Sequence, residues 1–157
     1  MHVHGEADFL ERFRPATVLD AGCGTGRVAA ELARRGIDVV GIDRDPSMIA
    51  TSRQLAPGVE FHVADVADVA VGRRFALIVM AGNVPLFTPE GTQAALVAGF
   101  QLGRGYTVGQ YDGDCRAAGL EEEVRLATWD GDPFDPAGGY AVSVHRRPVG
   151  PGTTGSA

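Results

Sequence analysis

Residues 17–27 leave few folds open to this chain. Thr17, Val18 and Leu19 read as the end of a buried strand, Gly22, Gly24 and Gly26 pave a turn, and Val28, Leu32 and Ala33 begin a helical periodicity. A strand, a glycine turn and a helix in succession make a nucleotide-type site, in which side chains are removed where backbone must touch a ligand. The spacing is G-x-G-x-G. A dinucleotide fingerprint, G-x-G-x-x-G, needs glycine at residue 27, and Arg27 stands there. Asp20, two residues before Gly22, would repel a pyrophosphate but attract an ammonium group, directly or through water. The turn therefore asks for a ligand that carries a cation.

The residues after the turn predict a strand-helix-strand unit. A helix from about Arg27 is ended by Gly36, and residues 37–42 form a second buried strand ending on Asp43, where such folds hydrogen-bond ribose hydroxyls. Asp45 and Pro46 then cap and open a further helix through Met48, Ile49 and Leu55, stopped at Pro57 and Gly58. Met48 has two readings, one against an adenine face and one as a core methionine. Residues 59–64 alternate as a third strand and deliver Asp65, a carboxylate able to accept from an exocyclic amine, with Asp68 as a competitor. On that strand Phe61 and Val63 read as core-facing and His62 as a surface group. Residues 75–80 make a fourth strand, apolar enough to be covered on both faces.

With Asp20 ahead of the glycines and Asp43 and Asp65 at later strand ends, the run from Val18 to Gly26 resembles the first motif of the class I S-adenosylmethionine-dependent methyltransferases. The resemblance covers about residues 8–147, strongly to Gly82 and loosely afterwards. It implies an α/β fold, a Rossmann-like three-layer sandwich with a mostly parallel seven-stranded sheet and an antiparallel last strand. It also implies S-adenosyl-L-methionine across the carboxyl ends of strands one to four. The cofactor-binding residues it carries over are Asp20, Gly22, Gly24, Gly26, Asp43, Met48, Asp65, Val66 and Gly82. Asp65 would take the adenine amino group, the Val66 N–H would contact the ring, and residues 81–85, with Gly82 and Asn83 among them, would floor the methionine end.

Composition narrows the partners. A formal charge of −6 without any concentrated basic face disfavours nucleic acid as a partner. All 14 basic residues are arginine, and a chain without lysine has neither a Walker-type phosphate loop nor a Schiff-base site. Cys23 and Cys115 suggest no zinc site or disulfide framework, and no apolar run is long enough for a membrane span. A cytoplasmic protein is expected, with one domain over residues 1–147 and a disordered tail over 148–157. His2 and His4 read as part of a mobile terminus, and no metal site is expected.

The last third departs from the family pattern. Residues 91–98 read as a short helix and 99–103 as strand five, with 96–99 able to serve as either, so the crossover is close to the minimum for a parallel connection. Such a connection would leave Leu96, Val97 and Phe100 poorly covered, and a homodimer is the macromolecular partner this suggests. A helix around 112–118, strands over 122–129 and 140–146, and an edge position for the last strand complete the reading. Tyr106, Tyr111, Trp129 and His145 are the substrate-side candidates.

The expected function is methyl transfer to a small molecule by direct in-line displacement. Because the sulfonium is already reactive, alignment and desolvation suffice and no catalytic base is assigned. The alternatives are a non-catalytic, degenerate cofactor-binding relative and an NAD-dependent oxidoreductase.

Overall fold

The computed structural model describes residues 5–66, 71–81, the backbone of 95–101, and 107–148. The described strands are β1 (Thr17–Ala21), β2 (Asp38–Asp43), β3 (Glu60–Val63), β4 (Leu77–Ala81), β5 (Ala95–Gln101), β6 (Glu121–Leu126) and β7 (Tyr140–Arg146). The helices are α1 (Gly5–Glu11), α2 (Arg27–Arg34), α3 (Pro46–Leu55) and α4 (Val108–Ala117). The strands build one seven-stranded sheet in the order β3-β2-β1-β4-β5-β7-β6. Pairing is parallel from β3 to β5, and β7 runs antiparallel to both neighbours.

Strand periodicity divides the core into two layers. Val18, Val39, Leu77, Val79, Val142 and Val144 pack with Phe9 and Leu10 of α1, Val28 and Leu32 of α2, and Ile49 of α3. Their neighbours Leu19, Val40, Ile78, Met80 and Ala141 face the opposite way, against Tyr111 and Cys115 of α4. Helices on both faces of a mainly parallel sheet give an α/β three-layer sandwich, and the reversal of strand order between β1 and β4 is its switch point. Ligands of such sheets sit outside the carboxyl ends of the strands at that crevice.

Several expectations need correction. The first helix covers Gly5–Glu11, where the Phe9, Leu10 and Phe13 spacing ahead of Pro15 predicts residues 8–13. Strand five starts at Ala95, because Ala95–Gly99 pair with Leu77–Ala81 on one side while residues 96–101 pair with β7 on the other. Two hydrogen-bonded ladders outweigh the helical leaning of the Ala-Ala-Leu-Val-Ala run. Gly99 lies within that strand, and the connection that precedes it, with any cover it gives β5, lies outside the described residues. The last strand is interior and β6 forms the edge, which accounts for the five successive buried residues Ala141–His145 of β7 and the exposed Glu121, Glu122 and Glu123. β6 also stops at Leu126, short of Trp129. The fourth helix starts four residues before the expected 112, because Thr107 and Gln110 form a reciprocal capping box. Val63 is 49% exposed rather than core-facing, since β3 is the opposite edge and Val63 stands at its open end.

Candidate cofactor site

The glycine turn is fixed by its own backbone. The N–H groups of Gly22 and Cys23 both donate to the Ile42 carbonyl, at 2.8 and 2.9 Å, and tie the turn to the end of β2. The Gly24 N–H donates to Asp43 Oδ2 at 2.9 Å, while Asp43 Oδ1 accepts from the Asp45 N–H at 2.9 Å. Asp43 therefore holds the turn and the start of α3 in place. A carboxylate offers about four acceptor positions, so capacity remains for hydroxyl donors. Asp45, as read from the sequence, is the cap of α3, accepting from the Ser47 N–H at 2.8 Å.

The glycines of the turn are needed for two different reasons. Gly24 has φ +54° and nothing within 4 Å of where a Cβ would stand, so its missing side chain opens space above the turn. A Cβ on Gly26, at φ +77°, would meet the Phe61 ring and Ser52 Cβ at 2.8 Å. Gly26 is thus a packing glycine that lets α2 sit against α3 and β3. The cradle at Gly24, with acids at the neighbouring strand ends, fits an adenosyl ligand bound through its ribose.

Asp20 differs most from expectation. It is only 1% exposed, and its Oδ2 accepts from the Ala29 N–H, the third helical N–H of α2, at 3.1 Å. Because Gly26 at the N-cap position has no side chain, the carboxyl of Asp20 reaches up from β1 to do the capping. Burial pushes its pKa up to about 7, against the lowering effects of the Ala29 N–H and the Arg27 charge. Asp20 lies beneath the turn, as support for it.

On α3, Met48 is 39% exposed, which excludes the core reading. Asp65 is exposed just past β3, and Val66 is partly buried against the α4 layer. Gly82 and Asn83, like Asp68 and Tyr106, lie outside the described residues. Of the substrate-side candidates, Tyr111 is a core residue packed edge-on against His145 at 5.0 Å. His145 is 1% exposed and pairs with Leu96 near the start of β5, at the amino end of the parallel strands. Neither borders the cofactor edge. Asp112, Glu122 and His145 are close enough to hold a metal ion, but Arg125 already bonds both carboxylates. Trp129 is on the loop at the correct edge, where its Nε1 donates to Tyr140 Oη at 3.2 Å.

Sequence reading missed a second cluster there. Arg27 Nη1 and Nη2 donate to the two carboxylate oxygens of Glu6 at 3.1 and 2.5 Å, joining α1 to the residue that follows the glycine turn. Tyr140, paired with Gln101 at the carboxyl end of β5, opens β7 near this pair, since a Cβ on Gly5 would stand 3.5 Å from Cβ of Trp129, its hydrogen-bond donor. Arg27 was visible only as a missing glycine, and nothing local marks Glu6 as its partner.

A methyltransferase-domain family model matches residues 18–102. A TehB-like S-adenosylmethionine-dependent methyltransferase from Corynebacterium glutamicum superposes with a TM-score of 0.82 at 33% identity, covering 92% of this chain and 88% of that one. The chain belongs to the S-adenosylmethionine-dependent methyltransferase family. This sets aside the oxidoreductase alternative. The magnesium-protoporphyrin O-methyltransferase of Rhodobacter capsulatus is 49% identical over 61 residues, 36% of this methyltransferase domain and 27% of that protein. The magnesium protoporphyrin IX methyltransferase of Synechocystis, a structure with S-adenosylmethionine bound, shares the fold at TM-score 0.70 and 18% identity, covering 94% and 80% of the two chains. The methyltransferase domain spans less than half the length of the Rhodobacter protein and of other curated relatives it matches. No helix among the described residues is long and apolar enough to cross a membrane.

Proposed function

We propose that this domain binds S-adenosylmethionine through Asp43 and the turn around Gly24 and transfers its methyl group to a small-molecule acceptor. The supporting observation is the Asp43 carboxylate, fixed by the Gly24 and Asp45 N–H groups at the end of β2, beside a turn position, Gly24, where a Cβ would meet nothing within 4 Å. The bound cofactor supplies an electrophilic methyl on a sulfonium. The chain holds the ribose at Asp43, keeps the turn open at Gly24, and presents Met48, Asp65 and Val66 toward the adenine. A net charge of −6 favours a free small molecule over nucleic acid as acceptor. Relatives are named for acceptors as different as magnesium-protoporphyrin, trans-aconitate and 2-heptyl-1-hydroxyquinolin-4(1H)-one, all of them small molecules.

Calorimetric titration with S-adenosylmethionine, S-adenosylhomocysteine and NAD tests the cofactor, with binding of the first two and not the third expected. Incubation with methyl-labelled cofactor and a panel of small hydroxyl, amine and carboxylate acceptors tests transfer. Binding without label transfer to any acceptor would favour a cofactor-binding relative that has lost activity.

A further inference from the structure

The order of strand ends along the cofactor edge places the ligand's parts. Asp65 follows β3, Asp43 ends β2, the glycine turn follows β1, and Tyr140 opens β7 beyond β4 and β5. A ligand with adenine toward β3 and ribose at β2 directs its remaining end across the turn toward α2, α1 and β7. For S-adenosylmethionine that end is an amino acid, with one ammonium and one carboxylate. Asp20, the carboxylate the sequence offers to the ammonium, is buried beneath the turn with one oxygen on Ala29.

One matched pair of charges lies on the path. Arg27 is the first residue of α2, directly after Gly26, and its guanidinium is joined bidentately to Glu6. The Glu6 side chain is only 14% exposed, while that of Arg27 is 46% exposed. A Cβ on Gly5, the residue before Glu6, would stand 3.5 Å from Trp129 Cβ, and Trp129 Nε1 donates to the Tyr140 hydroxyl at the start of β7 at 3.2 Å. The pair thus stands between the turn and the β7 end of the edge.

We propose that Glu6 and Arg27 receive the amino-acid end of the cofactor, Arg27 taking its carboxylate and Glu6 its ammonium. In the free protein the two form a bidentate ion pair. A zwitterion entering between them exchanges one ion pair for two of the same chemistry, so neither charge is left uncompensated. A planar guanidinium suits a carboxylate better than an ammonium would, which gives Arg27 a role at the register where a dinucleotide site needs glycine. Glu6 also brings α1 over this end of the site, so cofactor binding and the docking of α1 share one pair of residues.

The inference rests on the cofactor reading above, and two ligands separate them. S-adenosylhomocysteine carries the amino-acid end, whereas 5′-methylthioadenosine has the same thioadenosine without it. In calorimetric titrations, Arg27→Met and Glu6→Gln should each weaken S-adenosylhomocysteine about 10- to 100-fold and leave methylthioadenosine within about twofold of wild type. Arg27→Lys keeps the cation and should recover part of the lost affinity. If Arg27→Met weakens both ligands equally, or neither, the pair serves only to hold α1 and the proposal fails. Should Arg27→Met not fold, Arg27→Lys alone must still weaken S-adenosylhomocysteine more than methylthioadenosine. A wild-type chain that binds neither ligand would overturn the cofactor reading itself.

Discussion

Replacing Asp20 by asparagine should flatten the dependence of stability on pH. The carboxyl is 1% exposed, and burial raises its pKa from an ordinary 3.8 to about 7. The folded chain therefore keeps this proton to a higher pH than the unfolded chain does. The resulting stabilisation is complete below pH ~4 and is lost as pH rises through about 7. Between pH 5 and that pKa lie about two pH units, and at ~1.36 kcal/mol per unit the wild type should lose ~2.7 kcal/mol over that range. An asparagine at this position would still accept from the Ala29 N–H through its amide oxygen, but it cannot ionise.

Urea unfolding of both proteins at pH 5, 6, 7 and 8 isolates this contribution, because every other titrating group is common to the two and cancels in the difference. The asparagine variant should gain ~2–3 kcal/mol relative to wild type between pH 5 and pH 8. A difference that stays constant across the range would refute the reasoning. It would mean that the carboxyl reaches water or holds an ordinary pKa where it lies.

Three further outcomes are expected. Asp43→Ala should weaken S-adenosylhomocysteine at least ~10-fold in calorimetry, since it removes a charge-assisted acceptor worth ~1.5–3 kcal/mol and also frees the Gly24 N–H; unchanged affinity would take Asp43 out of the site. Gly26→Ala should lower stability by ~2–4 kcal/mol, from left-handed strain plus the clash with Phe61 and Ser52, while Gly24→Ala should cost only the ~1–2 kcal/mol of strain yet weaken ligand binding more. Equal melting temperatures for the two glycine variants would contradict the packing role of Gly26. Thr107→Ala should cost ~1 kcal/mol in urea unfolding by removing the capping box of α4, and no loss would show that Gln110 alone suffices.

The sheet from β1 to β4 was legible because its signals are local. Apolar runs end in acids, Gly36 takes φ +82° after α2, and Asp45 with Pro46 opens α3 in the expected register. β7 was legible for the same reason, with both ends as expected. β5 was not, since residues 95–98 carry no mark distinguishing a helix end from an interior strand until two neighbours pair with them. The interior position of β7 is likewise a property of the sheet. An antiparallel hairpin with β6 fits the sequence whichever of the two lies outside, and five consecutive buried residues decide it only after folding.

The two acids nearest the turn show where parity could have improved the reading. Asp20 shares its face of β1 with Val18, and Val18 packs in the layer of α1, α2 and α3. Alternation alone therefore aims Asp20 at the helix that follows the turn, where the first N–H groups await an acceptor and Gly26 supplies no side chain. Asp43 has the same parity as Val39 and Gly41 on β2, but it stands one residue beyond the last register pair of β1 with β2, at Ala21 and Ile42. Past that point no strand residue lies beside it on the β1 side, and the backbone of Gly24 comes within hydrogen-bonding distance. Two aspartates that look alike as strand-end acids are thus separated by one step of sheet coverage. The covered one supports the turn from below, its pKa pushed up to about 7 by burial, and the uncovered one holds the Gly24 and Asp45 N–H groups.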